Sequence, residues 1–215
     1  MKMKVLFIII LFIQSCSISI NTPDIDYSKL RNALDDNILI SDALNKDSLF
    51  FKKGIITLQG EIGSAYMRFV SEQILLLDSM ENISKITIIL NSTGGDYSAA
   101  IFLVNTIQSI NKKVDIICNG YCFSAAAGIL QSATGKRLTL PKTLFMVHAP
   151  QPTNKNVKIP ERALIISNNY YTELISKKSK LPNDWFPLSK KMHYFSVDEA
   201  KKYMFVDEVL DKLKL

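Results

Sequence analysis

Ser124 and His148 are the two side chains of this sequence whose types and positions could support catalysis. Ser124 lies between an apolar stretch and an alanine-rich stretch, and His148 directly follows the apolar residues 143–147. The chain has only 2 histidines, so few Ser–His pairs can exist in it. A serine hydroxyl becomes a nucleophile when a neighbouring imidazole accepts its proton. The pattern is typical of a Ser–His catalytic pair; the structural alternatives are an N-cap serine at Ser124 and a core histidine at His148.

The elements that must position this pair alternate between short apolar runs and helical periods. The expected strands are 54–58, 86–90, 114–118, 137–140 and 143–147. Helices are expected between them from the spacing of Met67, Val70, Ile74 and Leu77, from that of Ala100, Ile101, Val104 and Ile107, and over 125–132. Alternating strands and helices with continuously apolar strands predict an α/β fold with a parallel sheet covered by helices.

The same alternation predicts where the chemically suggestive residues meet. Right-handed crossovers bring the carboxyl ends of parallel strands to one edge of the sheet. Gly94-Gly95, Ser124 and His148 all follow such strand ends. We therefore expect a site at this edge, where open α/β sheets usually bind ligands.

The C-terminal third continues with helical patterns. A helix is expected over Arg162–Lys178, with Leu164, Ile165, Asn168, Tyr171 and Ile175 near one stripe. Ser196 and Glu199 have the spacing of a capping box, which opens a helix to Tyr203 before a final strand near Val206. The segment 24–48 also has a helical pattern.

The N-terminus has the features of an export signal. Two lysines in the first four residues precede a short apolar run, which predicts a signal peptide over residues 1–15. The residues before Cys16 resemble a bacterial lipobox, which implies a lipid on Cys16 and a tether leading to residue 48; ordinary cleavage is the alternative. The protein is then expected in the cell envelope or periplasm, held to the membrane by the lipid.

Charge and cysteine content exclude several function classes. The net charge is +6, yet the lysines are scattered and no basic stripe is interleaved with aromatic residues, so no nucleic-acid partner is expected. Cys118 and Cys122 flank an expected turn at Gly120 and are interpreted as buried thiols. Their spacing, with no histidine nearby, does not fit a zinc site, so no metal is expected.

Four segments in order resemble the proteolytic subunit of the Clp protease. They are Asn91-Ser-Thr-Gly-Gly95, the Ser124 turn, Met146-Val-His148-Ala-Pro150 and the tail from Phe195 to Asp207. Thr93 stands where that family usually has proline, and Met204 where it usually has glycine. The resemblance implies a crotonase-like spiral of βαβ units over residues 49–215, and a homo-oligomer.

The resemblance also implies roles for individual residues. Ser124 would be the nucleophile and His148 the general base. The N–H groups of Gly95 and Ala125 would form the oxyanion hole, with Gly94 shaping the approach. Met192 stands where the family has its catalytic aspartate, and Asp184 is the nearest upstream carboxylate, so the third triad member stays open.

The function implied is an exported, ATP-independent serine peptidase that needs no cofactor. Its substrates would be peptides or unfolded protein segments, and no Clp ATPase is expected as a partner away from cytosolic ATP. One alternative is a Ser–Lys dyad that uses Lys155 or Lys158. The others are a non-catalytic binding or scaffold lipoprotein and an acyl-CoA hydratase-type enzyme on the same fold.

Overall fold

The computed structural model of the protein describes residues 49–151, 160–185 and 191–213. These residues belong to one compact unit, 43–215. The predictions on residues 1–48, including the signal peptide, Cys16 and the helical segment, lie outside the described residues, as do Lys155 and Lys158. Among the described helices, none is long and apolar enough to span a membrane.

The described elements alternate as the sequence predicted. In chain order they are α1 (Leu49–Lys52), β1 (Ile55–Gln59), α2 (Ser64–Ser79), β2 (Lys85–Ser92), α3 (Tyr97–Ser109), β3 (Lys113–Phe123), α4 (Ala125–Gln131), β4 (Arg137–Thr139), β5 (Leu144–Val147), α5 (Glu161–Ser176), a 3-10 turn (Asn183–Trp185), β6 (His193–Phe195), α6 (Val197–Lys202) and β7 (Glu208–Val209).

The described strands form one mostly parallel sheet. Its order is β1-β2-β3-β4-β7, with every neighbouring pair parallel. Strand β5 pairs in parallel with the far end of β3, and β6 pairs antiparallel with β5. The α/β prediction with a mostly parallel sheet is therefore confirmed.

The core forms where the helices cover one face of this sheet. Met67, Val70, Ile74 and Leu77 of α2 are all buried, as their spacing predicted. They share one apolar cluster with the alternate residues Ile86, Ile88 and Leu90 of β2. Because strand side chains alternate between faces, these three β2 residues point to the face of the sheet that the helices cover.

Strand β3 is longer than the sequence predicted. The expected strand ended at Cys118 with a turn at Gly120, but β3 continues to Phe123 through a bulge. Leu90 pairs with Cys118 and Ser92 with Cys122, so β3 has extra residues opposite Asn91. Gly120 adopts φ 111° there, and a Cβ on it would lie 2.7 Å from Asn91 Oδ1. That oxygen accepts a hydrogen bond from the Tyr121 N–H, which closes the bulge.

The two cysteines on either side of the bulge are buried free thiols. Both side chains belong to the main apolar cluster. Burial, with a contribution from a Cys122 hydrogen bond, raises the pKa of the Cys118 thiol. Cys118 and Cys122 thus pack as small apolar residues beside the segment that leads to Ser124.

Helix α5 departs from its predicted stripe. Tyr171 and Ile175 are buried, but Ile165 is 42% exposed. The apolar residues in the first half of the helix therefore do not pack on the described core.

The C-terminal segment closes the sheet edge. The capping box of Ser196 and Glu199 is present, as predicted, and α6 ends at Lys202. The final strand begins at Glu208, two residues beyond the expected Val206, because Asp207 is first tied to buried Arg137 by hydrogen bonds.

Burial acts to raise the pKa of Asp207, but the Arg137 hydrogen bonds outweigh it and hold that pKa below its ordinary value.

Candidate active site

One cleft brings together the residues that the sequence singled out. Gly95, Ser124, Ala125 and His148 line a cavity of about 200 Å³. Its remaining lining residues are Tyr97, Pro150, Gln151 and Tyr171. Three of the chain segments that form the cleft follow the carboxyl ends of β2, β3 and β5, which are neighbouring parallel strands. This is the edge of the sheet at which the sequence predicted a site.

Ser124 occupies a strained turn between β3 and α4. Its backbone has φ 55° and ψ −121°, a region that residues with a side chain rarely adopt. Such a conformation costs on the order of 1–3 kcal/mol, and it recurs at functional sites. The Ser124 N–H donates to the Met146 carbonyl of β5 at 2.8 Å, which anchors the turn to the strand that leads to His148.

The Ser124 hydroxyl does not act as a helix cap. Ser124 is the N-cap residue of α4, but its side chain makes no capping hydrogen bond. A serine at this position usually accepts a hydrogen bond from the first turn of the helix. The side chain is therefore available to the cleft, which disfavours a purely structural interpretation of this serine.

Two backbone N–H groups face the cleft beside Ser124. The Ile62 N–H donates to the Gly94 carbonyl at 2.9 Å, and the Ile62 carbonyl accepts from the Asp96 N–H at 2.8 Å. The Gly95 N–H is in the same peptide group as the Gly94 carbonyl and therefore points away from Ile62. The Ala125 N–H belongs to the first turn of α4, where N–H groups have no intrahelical partner. Two such donors are what an oxyanion hole requires.

Gly94 lets the two chain segments approach each other. Its φ is 96°, and a Cβ on it would lie 2.8 Å from the Ser124 Cβ. A real Cβ contact is essentially never this short, so only glycine fits between β2 and the nucleophile turn. The role of Gly94 in shaping the approach to an oxyanion hole stays a prediction, and the close packing against Ser124 is compatible with it.

His148 is half-buried in the loop after β5. Its Nδ1 lies 2.7 Å from the carbonyl oxygen of Ala149. Because a carbonyl only accepts, Nδ1 must carry the proton, which leaves Nε2 with the lone pair of a base. Among the described residues, no hydrogen bond joins His148 to Ser124 and no carboxylate contacts the imidazole. Catalytic hydrogen bonds are often loose before substrate binds.

Met192, the residue at which the sequence resemblance expects a catalytic acid, is an exposed methionine. Val147 pairs with His193 across β5 and β6, so continuing the register by one residue places Met192 opposite His148. Met192 is 56% exposed, and its sulfur accepts a hydrogen bond from the Tyr194 hydroxyl. Asp184 is exposed in the 3-10 turn and makes no ion pair or hydrogen bond with His148. Which group, if any, completes a triad stays a prediction.

His193, the second histidine of the chain, begins β6. Its ring stacks on Trp185 with centroids 4.8 Å apart and planes 10° apart. Neighbouring residues of a strand point to opposite faces, so His193 and Met192 cannot both turn toward His148. His193 thus has a packing role on the face away from the cleft.

Tyrosines on two helices form a wall of the cleft that sequence reasoning largely missed. Tyr97 begins α3 directly after the Gly-Gly turn, and Tyr171 reaches the cleft from α5. Their rings meet edge to face, with centroids 6.3 Å apart. Tyr170, the residue before Tyr171 on α5, is 60% exposed, whereas Tyr171 itself is buried. Tyr97 lies only two residues after Gly95 in the sequence, and this spacing could have predicted its place in the cleft.

The two tyrosines of the cleft wall are uncharged at physiological pH. Burial, with the neighbouring Tyr170, raises the pKa of Tyr97 to about 12. Burial also raises the pKa of Tyr171, with smaller contributions from Cys122 and Tyr97. Both phenols therefore stay protonated. Within 49–151, 160–185 and 191–213, no cluster of three metal-ligating side chains is present.

The fold and this cleft define a ClpP-like α/β protein. The chain belongs to the Clp protease family, whose family model matches residues 41–213. Among solved structures it is similar to an asparagine-to-aspartate mutant of ClpP1 from Listeria monocytogenes, with 27% identity and a TM-score of 0.66. That match covers 75% of this chain and 94% of the other. Membership of this family supports a serine peptidase as the general class.

Proposed function

We propose that the protein hydrolyses peptide bonds through an acyl-enzyme on Ser124, with His148 as the general base. The observation that carries this proposal is the cleft itself. A strained serine with an uncapped side chain shares it with a histidine and with two unpaired backbone donors. These are the parts that acyl transfer by a serine nucleophile needs.

In the proposed mechanism each of these parts has one step. His148 Nε2 accepts the Ser124 hydroxyl proton as Oγ attacks the peptide carbonyl. The negative charge that develops on the carbonyl oxygen is stabilised by the N–H groups of Gly95 and Ala125. His148 then gives the proton to the leaving amine, and water, activated by the same imidazole, releases the acyl group.

The state of His148 predicts slow turnover. The Ala149 carbonyl holds the useful tautomer, but it carries no full charge to stabilise the imidazolium that forms during the reaction. Loss of the orienting acid from a complete triad costs about 10⁴ in kcat. Because the Ala149 carbonyl already holds the useful tautomer of His148, the loss in kcat for this protein should be smaller than about 10⁴-fold.

The cellular setting follows from the sequence. Export by the signal over residues 1–15 and a lipid on Cys16 would place the cleft in the cell envelope. Peptides and unfolded segments are then the available substrates, without a Clp ATPase. A homo-oligomer is expected from family membership. Mass spectrometry of the membrane fraction tests this setting, since the mature chain should begin at a lipidated Cys16.

A non-catalytic binding protein is the second candidate. The exposed Met192 at the position expected for the acid favours it, because it removes a group that the reaction uses. The cleft would then bind a peptide without cleaving it.

Covalent labelling with a fluorophosphonate decides between the two candidates. Labelling at Ser124 that is lost in Ser124→Ala and strongly reduced in His148→Ala supports the peptidase with a histidine base. Labelling that is lost in Lys155→Ala or Lys158→Ala instead supports a Ser–Lys dyad. A folded protein that never labels supports the binding protein.

A further inference from the structure

Tyr171 makes a contact that the proposed mechanism does not yet use. Its hydroxyl donates a hydrogen bond of 2.9 Å to the carbonyl oxygen of Ser124. The side chain comes from α5, 47 residues further along the chain, and is only 2% exposed. A buried hydroxyl usually has a hydrogen-bond partner, but this partner is the backbone of the proposed nucleophile.

The Ser124 carbonyl is held by several donors at once. Besides the Tyr171 hydroxyl, it accepts from the Ala127 N–H at 2.9 Å and from the Gly128 N–H at 3.4 Å. The two N–H groups belong to α4 and move with it. Tyr171 is the donor from another element, so it ties the turn to α5.

Holding this carbonyl also aims the N–H on the other side of the same peptide bond. The peptide unit is planar and trans, so the Ser124 C=O and the Ala125 N–H point in opposite directions. Rotation of that plane would swing the Ala125 N–H away from the position of the oxyanion. The carbonyl points toward the Tyr171 hydroxyl and the first turn of α4, so the N–H of Ala125, a residue that lines the cleft, points the opposite way.

The surrounding packing is shaped for this tyrosine. Gly128 of α4 faces the ring, and a Cβ on it would lie 3.3 Å from Tyr171 Cε2. Glycine is a poor helix former, costing about 1 kcal/mol relative to alanine in a helix interior. Its place in α4 is explained by the close approach that the ring needs to reach Ser124.

From these contacts we infer that Tyr171 is a positioning residue, which sets the Ser124–Ala125 peptide plane and thereby aims the oxyanion donor. This inference rests on the proposed peptidase function. Tyr171 acts through the backbone and need not contact the reacting atoms. Its loss should weaken stabilisation of the transition state more than binding of the substrate.

The test compares Tyr171→Phe with Tyr66→Phe. Tyr66 also donates its hydroxyl to a backbone carbonyl, that of Thr57 at 3.3 Å, and it lies outside the cleft lining. We expect Tyr171→Phe to lower kcat/KM for a peptide ester about 10-fold with little change in KM. Affinity for a peptide boronate should fall by a similar factor, whereas Tyr66→Phe should leave both within about two-fold.

Gly128→Ala provides a second variant that keeps the hydroxyl. The new methyl should push the ring by a few tenths of an ångström while favouring the helix, so activity should fall without loss of thermal stability. Equal kinetics in Tyr171→Phe and Tyr66→Phe, with the parent protein labelling normally, would overturn the positioning role alone. A parent protein that does not label with fluorophosphonate would overturn the proposed function, and this inference with it.

Discussion

The two sides of the cleft differ in how firmly their proposed catalytic residues are held. On the serine side, the Ser124 N–H donates to Met146 of β5, its carbonyl accepts from Tyr171 of α5, and Gly94 lies closely against the Ser124 side chain. On the histidine side, among the described residues, the His148 ring is held only through the carbonyl of the next residue in the chain. The Ser124 turn is thus fixed by contacts with distant segments of the chain, whereas the His148 ring is held by a contact with the next residue.

This difference indicates which part of the site limits the chemistry. A donor pair that is held rigidly needs no reorganisation when charge develops. An imidazole without a charged partner must form its cation unaided. The structure therefore predicts a preorganised oxyanion site served by a weak base, and variants on each side should respond differently.

The largest expected effect is on the serine side, in Gly95→Ala. Gly95 has φ 146°, and a Cβ on it would lie 2.3 Å from the Ile62 carbonyl oxygen, so the backbone must move. We expect kcat/KM to fall by more than about 100-fold, as for loss of an oxyanion donor. Gly60→Ala is the control, because Gly60 has φ 88° but nothing within 4 Å, and it should cost only about 1 kcal/mol of stability. Undiminished peptidase activity in Gly95→Ala would exclude its N–H as an oxyanion donor.

Met192→Asp should strengthen the histidine side. A carboxylate opposite His148 would stabilise the imidazolium, so kcat/KM should rise by about 10- to 100-fold. The acidic limb of the pH profile should also move to higher pH, because the protonated ring is favoured. Met192→Asn supplies a polar group without charge and should give neither effect. A rise in activity with Asn as large as with Asp would show that charge is not the missing factor.

The smallest expected effect concerns backbone strain at Ser124 and Met204. These are the described non-glycine residues with positive φ, at 55° and 54°. Replacement by glycine should raise the free energy of unfolding by up to about 1 kcal/mol at each position, measured by thermal or denaturant unfolding. Activity should persist in Met204→Gly and vanish in Ser124→Gly. Ser124→Ala keeps the strain, so it should be less stable than Ser124→Gly; equal stabilities would argue against strain at the nucleophile.

The sequence by itself determined most of the local elements. The apolar runs of β1 and β2, the helical stripe of α2 and the capping box at Ser196 all formed where their patterns placed them. These features depend on residues within a few positions of one another, so their physical causes are visible in a short window. The predicted strand ends, together with the rule that crossovers are right-handed, were enough to predict that Gly95, Ser124 and His148 meet at one edge of the sheet.

Only the tertiary structure decided how the site is completed. The bulge that extends β3 depends on Asn91 of the neighbouring strand, and the contact from Tyr171 to Ser124 spans two helices. The exposure of Met192 opposite His148 depends on the pairing of β5 with β6. Each of these features is set by contacts between segments far apart in the chain, and residue spacing carries no direct record of such contacts.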